Sequence, residues 1–179
     1  MGSYLLTAAG ADKPGLVAGL AKLLYGLGCN LEDSSMTRLQ GEFAVLLVFT
    51  SPEKIGLGAL ARKLKVLKKK GLSVYLKPLT GKERRTPAMK SERCLVTVYG
   101  TDRPGLVYHV TDILARQRVN VTDLTTHRTE GEGTSGYILY LEAEKPAGIS
   151  MTKLGKTLRE KFRGAGITVS IKPLESSPL

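Results

Sequence analysis

The chain has 179 residues, of which 42% are hydrophobic and 24% are charged. These values are ordinary for a soluble globular protein, and the length allows one domain or two small ones. No apolar run approaches the roughly 20 residues that would cross a bilayer, and no basic segment precedes an apolar stretch at the N-terminus. We therefore expect a cytoplasmic protein with no membrane partner.

The net charge is +11 and is distributed unevenly. Residues 1–90 carry 15 Lys and Arg against 6 Asp and Glu, whereas residues 91–179 carry 12 against 10. Such an excess favours acidic partners, nucleic acid among them. Cys29 and Cys94 lack the spacing of a metal site or a redox pair, so we expect two half-buried free thiols.

The first half of the chain predicts alternating strands and helices. Period-2 and continuous apolar runs mark the strands, and apolar residues at i, i+3 and i+4 mark the helices. The predicted segments are strand 4–9, helix 16–27, strand 30–39, strand 43–49, helix 55–67 and strand 72–79. The outer face of the second helix carries Lys and Arg throughout residues 62–70.

The turn before the first helix has a distinctive composition. Asp12 is suited to cap the helix, because its carboxylate can accept hydrogen bonds from the exposed first-turn N–H groups. Pro14 suits the first helical turn, where its missing N–H has no consequence. Gly15 lacks a Cβ and would let a ligand approach the backbone closely.

The second half repeats the first at an offset of 90 residues. The stretch 10–17 (GADKPGLV) returns as 100–107 (GTDRPGLV), and Asn30 and Asp33 return as Asn120 and Asp123. The element order β-α-β-β-α-β of each half is the ferredoxin-like unit. We therefore predict an α+β chain with two domains, each an antiparallel four-stranded sheet with two helices on one face. The predicted boundaries are 1–79 for the first domain, 80–92 for a polar linker and 93–179 for the second domain.

Each repeated turn presents a helix N-terminus at the end of a strand. The unpaired first-turn N–H groups and the positive end of the helix dipole make a small anion site, large enough for a carboxylate. A good helix start alone would explain the same residues, but the repeated Asn after each helix favours a binding site. The sequence leaves open how far Asn30 and Asn120 lie from the turns.

The pattern D-[KR]-P-G-L-V followed by N-[LV]-x-D, on a repeated βαββαβ unit, resembles the ACT domain. Two such domains and nothing else resemble the glycine cleavage system transcriptional repressor family. The resemblance covers nearly the whole chain. It implies a regulatory module that binds a small amino acid, glycine or similar, with domains paired side by side into an eight-stranded sheet.

The resemblance also implies which residues bind the effector. Backbone N–H groups after the glycine would hold the carboxylate, the Asn would take the ammonium or carboxylate, and the Leu-Val pair would line the pocket. The second turn has more hydrogen-bonding groups, so we expect it to be the occupied one if only one is. The candidate ligand-binding residues are Asp12, Gly15, Leu16, Val17, Asn30, Thr101, Asp102, Arg103, Gly105, Leu106, Val107 and Asn120.

Nothing in the sequence predicts catalysis. The chain has two histidines, His109 and His127, and no nucleophile triad, phosphate loop or metal cluster, so we expect no enzyme activity, no cofactor and no metal.

We expect a homodimer that controls amino-acid metabolism, including transcription of glycine cleavage genes, through a protein partner that is a transcription regulator or an enzyme. The alternative is a nucleic-acid-associated regulator that uses the basic surface of the first domain, including Lys82, Arg84 and Arg85 in the linker. Direct nucleic-acid binding is less favoured, because few aromatics lie nearby and no DNA-binding motif is present.

Overall fold

The computed structural model of the chain describes residues 2–53, 55–80, 91–129 and 136–174. It divides into two compact units, Met1–Thr86 and Pro87–Leu179. Each unit has the order β-α-β-β-α-β, which confirms the predicted tandem of ferredoxin-like domains. The finer boundaries 1–79, 80–92 and 93–179 stay a prediction, because residues 81–90 lie outside the described ranges.

The first domain contains four strands and two helices. They are β1 (Gly2–Ala11), α1 (Leu16–Gly26), β2 (Asn30–Leu39), β3 (Glu42–Ser51), α2 (Leu57–Lys69) and β4 (Ser73–Leu79). The second strand has the predicted bounds, and the hairpin between β2 and β3 turns at Gln40 and Gly41, which both have positive φ.

The second domain repeats these elements with similar lengths. They are β5 (Ser91–Thr101), α3 (Leu106–Arg116), β6 (Asn120–Thr129), β7 (Gly136–Pro146), α4 (Met151–Lys161) and β8 (Ile167–Pro173). β5 begins two residues inside the stretch that was predicted as linker. The loop between β6 and β7, with Glu130 and Glu132, lies outside the described residues.

Each domain has one antiparallel sheet. The strand orders are β2-β3-β1-β4 and β6-β7-β5-β8, so the first strand of each repeat is central and the second is an edge. Residues on the two central strands alternate between a buried and a more open face. The helices therefore cover one face of each sheet and leave the other open.

Each domain buries its own hydrophobic core between helices and sheet. Leu, Val and Phe predominate, as the amphipathic pattern predicts. Fully buried members are Leu6, Leu24, Phe49, Leu60 and Leu67 in the first domain, and Val96, Val98, Val110, Leu114, Leu139, Leu141 and Leu158 in the second. Cys29 is half-buried as expected, whereas Cys94 is fully buried, and burial raises the pKa of both free thiols.

A glycine near the end of the first strand lets two backbone segments approach in each domain. A Cβ at Gly10 would collide with the carbonyl oxygen of Gly71, and a Cβ at Gly100 would collide with that of Gly166. Backbone atoms cannot move aside as a flexible side chain can. The repeated Gly10 and Gly100 are therefore required where the strand passes the chain that leads into β4 or β8.

None of the helices in the described part of the chain has the length and apolar character that a membrane span needs.

We expect Gly100→Ala to lower the free energy of unfolding of the second domain by about 1–3 kcal/mol, because overpacking against backbone forces a shift. Urea denaturation of the full chain measures this. Gly148→Ala is the control, since a Cβ there meets nothing within 4 Å. A Gly100→Ala protein as stable as the control would contradict the packing argument.

Candidate functional site

The connection from β1 to α1 is a tight turn that ends in a left-handed glycine. Gly15 has φ 87° and ψ 3°, and the Leu16 N–H donates to the Lys13 carbonyl at 3.4 Å. Proline followed by a glycine of these angles forms a type II turn. Pro14 therefore lies before α1 and not in its first turn as expected. Gly105, with φ 86° and ψ 0°, repeats the turn before α3.

Backbone conformation explains these two glycines. A Cβ at Gly15 would meet nothing within 4 Å, and one at Gly105 would lie 3.5 Å from His109 Nε2. Space alone would thus admit a side chain at Gly15. The positive φ, which L side chains rarely adopt, is what requires glycine.

The aspartate of each turn forms an ion pair and does not cap the helix. Asp12 Oδ2 lies 3.4 Å from Arg38 Nη1, and Asp102 Oδ2 lies 2.9 Å from Arg128 Nη2. Neither α1 nor α3 has a side-chain hydrogen bond at its N-cap. The expectation that Asp12 caps α1 is wrong, because the type II turn makes Gly15 the N-cap and leaves the aspartate beside the end of β2.

Arg38 and Arg128 were not predicted as site residues from the sequence. Both lie near the C-terminal ends of their edge strands, β2 and β6, and each secures its turn to that strand. The two positions are 90 residues apart, as the two aspartates are. A search for every charged residue that recurs at the repeat offset would have found them.

The second turn has further contacts. Arg103 Nη2 donates to the Ala165 carbonyl at 2.7 Å, which connects the turn to the loop between α4 and β8. Thr101 is exposed at the end of β5. The His109 ring lies beside Gly105 and 5.1 Å from the Tyr108 ring, measured between centroids. Of the polar groups predicted here, Asp102 and Arg103 already have protein partners.

The first helical turn leaves backbone donors available. The first N–H groups of a helix lack intrahelical acceptors, and no side chain caps α1 or α3. In α1 the Leu16 N–H donates to the Lys13 carbonyl, which leaves the N–H groups of Val17 and Ala18 for a ligand. Beside α1 is an open depression of about 460 Å³, lined by Asp12, Lys13, Gly15, Leu16, Val17, Ala18, Met36 and Phe43. The structure thus brings four of the five predicted first-domain residues to one concave surface.

The Leu and Val of each turn differ in burial. Leu16 and Leu106 belong to the hydrophobic cores, whereas Val17 is 49% exposed and Val107 is intermediate. Only the valine is thus largely accessible to a ligand. The leucine fixes the helix start against the sheet.

The predicted asparagines lie at the opposite end of the sheet from the turns. Asn30 is opposite Thr50, which is opposite Ser3 at the start of β1, whereas the turn follows the last residue of β1. Eight residues of strand separate the two levels, or about 26 Å. Asn120 is opposite Glu144, which is opposite Arg93 near the start of β5, so Asn120 lies equally far from the second turn. One domain therefore does not bring its own turn and its own Asn together.

Within the described ranges, no three His, Cys, Asp or Glu side chains are grouped as metal ligands. The cation-rich face predicted from residues 62–70 is exposed on α2, whereas Lys82, Arg84 and Arg85 lie outside the described ranges.

Comparison with known proteins agrees with this architecture. The family model of the ACT domain matches residues 3–76 and 92–172. A glycine cleavage system transcriptional repressor of Escherichia coli is 28% identical over 149 residues, which cover 80% of this chain and 75% of that protein. A UPF0237 protein of Methanopyrus kandleri is 41% identical over 61 residues, covering 34% of this chain and 68% of that one. These similarities support a regulatory role.

Two solved structures share the whole fold. An unknown protein from Galdieria sulphuraria has a TM-score of 0.81 at 20% identity, covering 97% of this chain and 99% of that one. A structure described as a candidate glycine cleavage system transcriptional repressor has a TM-score of 0.67 at 16% identity, covering 98% of both chains. At these identities the likeness shows the fold.

The two ion pairs predict different coupling energies. A double-mutant cycle on Asp102→Ala and Arg128→Ala should give about 0.5–1 kcal/mol, as for partly exposed pairs of good geometry. The cycle on Asp12→Ala and Arg38→Ala should give less, because its atoms are 3.4 Å apart and not 2.9 Å. Urea denaturation at low salt measures both, and an equal or larger coupling in the first domain would contradict the geometry.

Proposed function

This chain belongs to the ACT domain family, and on that premise we propose that it is a non-catalytic regulator that senses a small amino acid. It controls amino-acid metabolism through a protein partner, which is a transcription regulator or an enzyme. Glycine or an amino acid of similar size is the proposed effector, and transcription of glycine cleavage genes is the proposed target. The relative in Escherichia coli, named as a repressor of that system, supports this choice.

The observation that carries the proposal is the uncapped start of α1 and α3. Each helix begins after a left-handed glycine, with no side chain on its first-turn N–H groups. Free N–H groups and the positive end of the helix dipole attract a carboxylate. The depression of about 460 Å³ beside α1 has a volume typical of small-molecule sites.

The position of Asn30 and Asn120 favours a site that two ACT domains complete together. A small amino acid cannot contact groups about 26 Å apart. An Asn could therefore join a turn only from another ACT domain. β2 is exposed along its whole length, and in the four-stranded sheet only β3 pairs with it. Such an edge offers unpaired N–H and C=O groups to another strand, which supports a homodimer.

A thermal-shift screen of the full chain against the common amino acids tests the proposal. An effector that binds the native state only, present at about 100 times its Kd, adds about 2.7 kcal/mol and raises Tm by several degrees. Glycine, alanine and serine at millimolar concentration are the first probes. The absence of a shift with every amino acid would contradict the sensing function.

Two substitutions test where the carboxylate binds. Val17→Asp and Val107→Asp place an acid in the first turn of α1 and α3, where it occupies the same N–H groups without opposing the helix dipole. We expect the double variant to keep its Tm without ligand and to lose the ligand-induced shift. Val107→Asp alone should remove more of the shift than Val17→Asp, if the second turn is the occupied one.

The matched control is Gly58→Asp with Thr152→Asp. These are the corresponding positions of α2 and α4, second in their helices, and they add the same charge. The control should keep the ligand-induced shift. If the control loses the shift, or the test variant keeps it, the carboxylate does not bind at the turns.

A further inference from the structure

A groove runs along the outside of the first domain between its two helices. Its volume is about 390 Å³, and α1 and α2 both line it. The floor is apolar, with Leu23 from α1, Leu27 directly after it, and Val66 and Leu67 from α2, and Val66 is 43% exposed. The glycines Gly19 and Gly26 form the α1 side, and the surface over Gly26 is open because a Cβ there would meet nothing within 4 Å.

Lysines surround this floor on both sides. Lys22 projects from α1, and Lys63 and Lys70 come from α2 and the residue that ends it. A Cβ on Gly19 would lie 3.1 Å from Lys70 Nζ, so this ammonium reaches across the groove from α2 to α1. A segment that enters the groove would therefore contact apolar side chains beneath and positive charges at its margins.

The whole helical layer of the first domain is basic without acidic compensation. Its sequence from 16 to 26 and from 57 to 70 contains no Asp or Glu. Within the described part of the chain, none of its basic residues has an ion pair. These basic residues are Lys22, Arg62, Lys63, Lys65, Lys68, Lys69 and Lys70.

The second domain has the same groove with a different lining. The residues 90 positions after Gly19, Lys22 and Gly26 are His109, Asp112 and Arg116. Asp112 Oδ2 and Arg116 Nη2 form an ion pair at 3.0 Å, and the cavity is smaller, at about 270 Å³. Lys161 also lines the second groove, so the ion pair offsets only part of its charge. The repeat thus has one groove that larger side chains narrow and an ion pair partly neutralises, and one that is more apolar and more positive.

From this contrast we propose that the groove between α1 and α2 binds an acidic amphipathic helix of a protein partner. Apolar side chains of that helix at i, i+3, i+4 and i+7 would contact Leu23, Leu27 and Val66, and its flanking Glu or Asp would face the lysines. The inference rests on the proposed function, in which the chain acts through a partner protein. It adds the surface and the chemistry of the partner.

The apolar floor favours a helix over nucleic acid. A phosphate backbone needs charge alone, and Arg62, Lys65 and Lys69 outside the groove would serve it as well as the groove lysines. An amphipathic helix would instead use the floor and the glycine side together with the lysines. A substitution that fills the groove should therefore weaken the binding of a helix but not the binding of nucleic acid.

The test uses the full chain and a fluorescein-labelled synthetic peptide. The peptide is longer than about 15 residues, has Leu at the four helical positions and Glu at the others, and is followed by fluorescence anisotropy. Lys22→Glu, Lys63→Glu and Lys70→Glu together should weaken binding by at least about tenfold. The control Arg62→Glu, Lys65→Glu and Lys69→Glu makes the same charge change outside the groove and should weaken it by less than about threefold.

Gly26→Arg is the decisive variant. A Cβ at Gly26 meets nothing within 4 Å, so the fold accepts it, and Arg is the residue at the corresponding position of the second domain. It adds positive charge but fills the groove, so binding of the peptide should weaken by at least about fivefold. Gly58→Arg adds the same charge on α2, outside the groove, and should leave the affinity unchanged or slightly higher.

Three results would overturn the proposal. The first is that wild type does not bind the peptide. The second is that Gly26→Arg binds it as tightly as Gly58→Arg. The third is that duplex DNA binds with a steep salt dependence, displaces the peptide and is indifferent to Gly26→Arg, which would assign the surface to nucleic acid. None of these depends on an amino-acid effector, so the thermal-shift result stands or fails separately.

Discussion

The left-handed glycine that ends each β–α turn determines the geometry of the surrounding site. Gly15 and Gly105 hold φ near 87° and 86°, which reverses the chain after Pro and starts the helix at the next residue. Because that residue is a buried leucine, the helix start is fixed to the core while its first-turn N–H groups stay uncapped. The Asp–Arg ion pair then secures the turn to the edge strand. These three contacts together give the proposed anion site a rigid frame.

The duplication shows which features the fold itself requires. Features that recur in both halves serve the architecture of the domain. They are the left-handed glycine, the Asp–Arg pair and the glycine where β1 or β5 passes the neighbouring backbone. Features that differ, such as Arg103 bonded to the Ala165 carbonyl and the charge of the helical layers, were free to change. The open groove between α1 and α2 belongs to the second class, which is why its lining is informative about a partner.

The sequence predicted the element order and the four-stranded sheets, because hydrophobic periodicity reports on burial directly. The 90-residue offset predicted the repeat. The sequence did not predict the role of Asp12. Asp before a Pro-Gly pair fits a helix cap equally well. The structure instead has Gly15 as the N-cap and the Asp12 carboxylate 3.4 Å from Arg38 Nη1. The distance from Asn30 to the turn also could not be derived from the sequence, since it depends on strand register. In β3 a continuous apolar run concealed an open sheet face, where Leu46 is 48% exposed.

One helix connects the two proposed surfaces. α1 begins at the uncapped turn, and the same helix supplies Gly19, Lys22, Leu23 and Gly26 to the groove. A ligand shifts a conformational equilibrium only if it binds the two conformations with different affinity. An amino acid that repositions the start of α1 would therefore change the affinity of the groove for its partner. The partner would change the affinity for the amino acid by the same factor. Measuring the affinity for one ligand with and without the other therefore tests whether the two sites are coupled. If peptide and effector bind with no mutual effect on affinity, the chain has two independent surfaces, and the signal would have to pass through assembly of the chains instead.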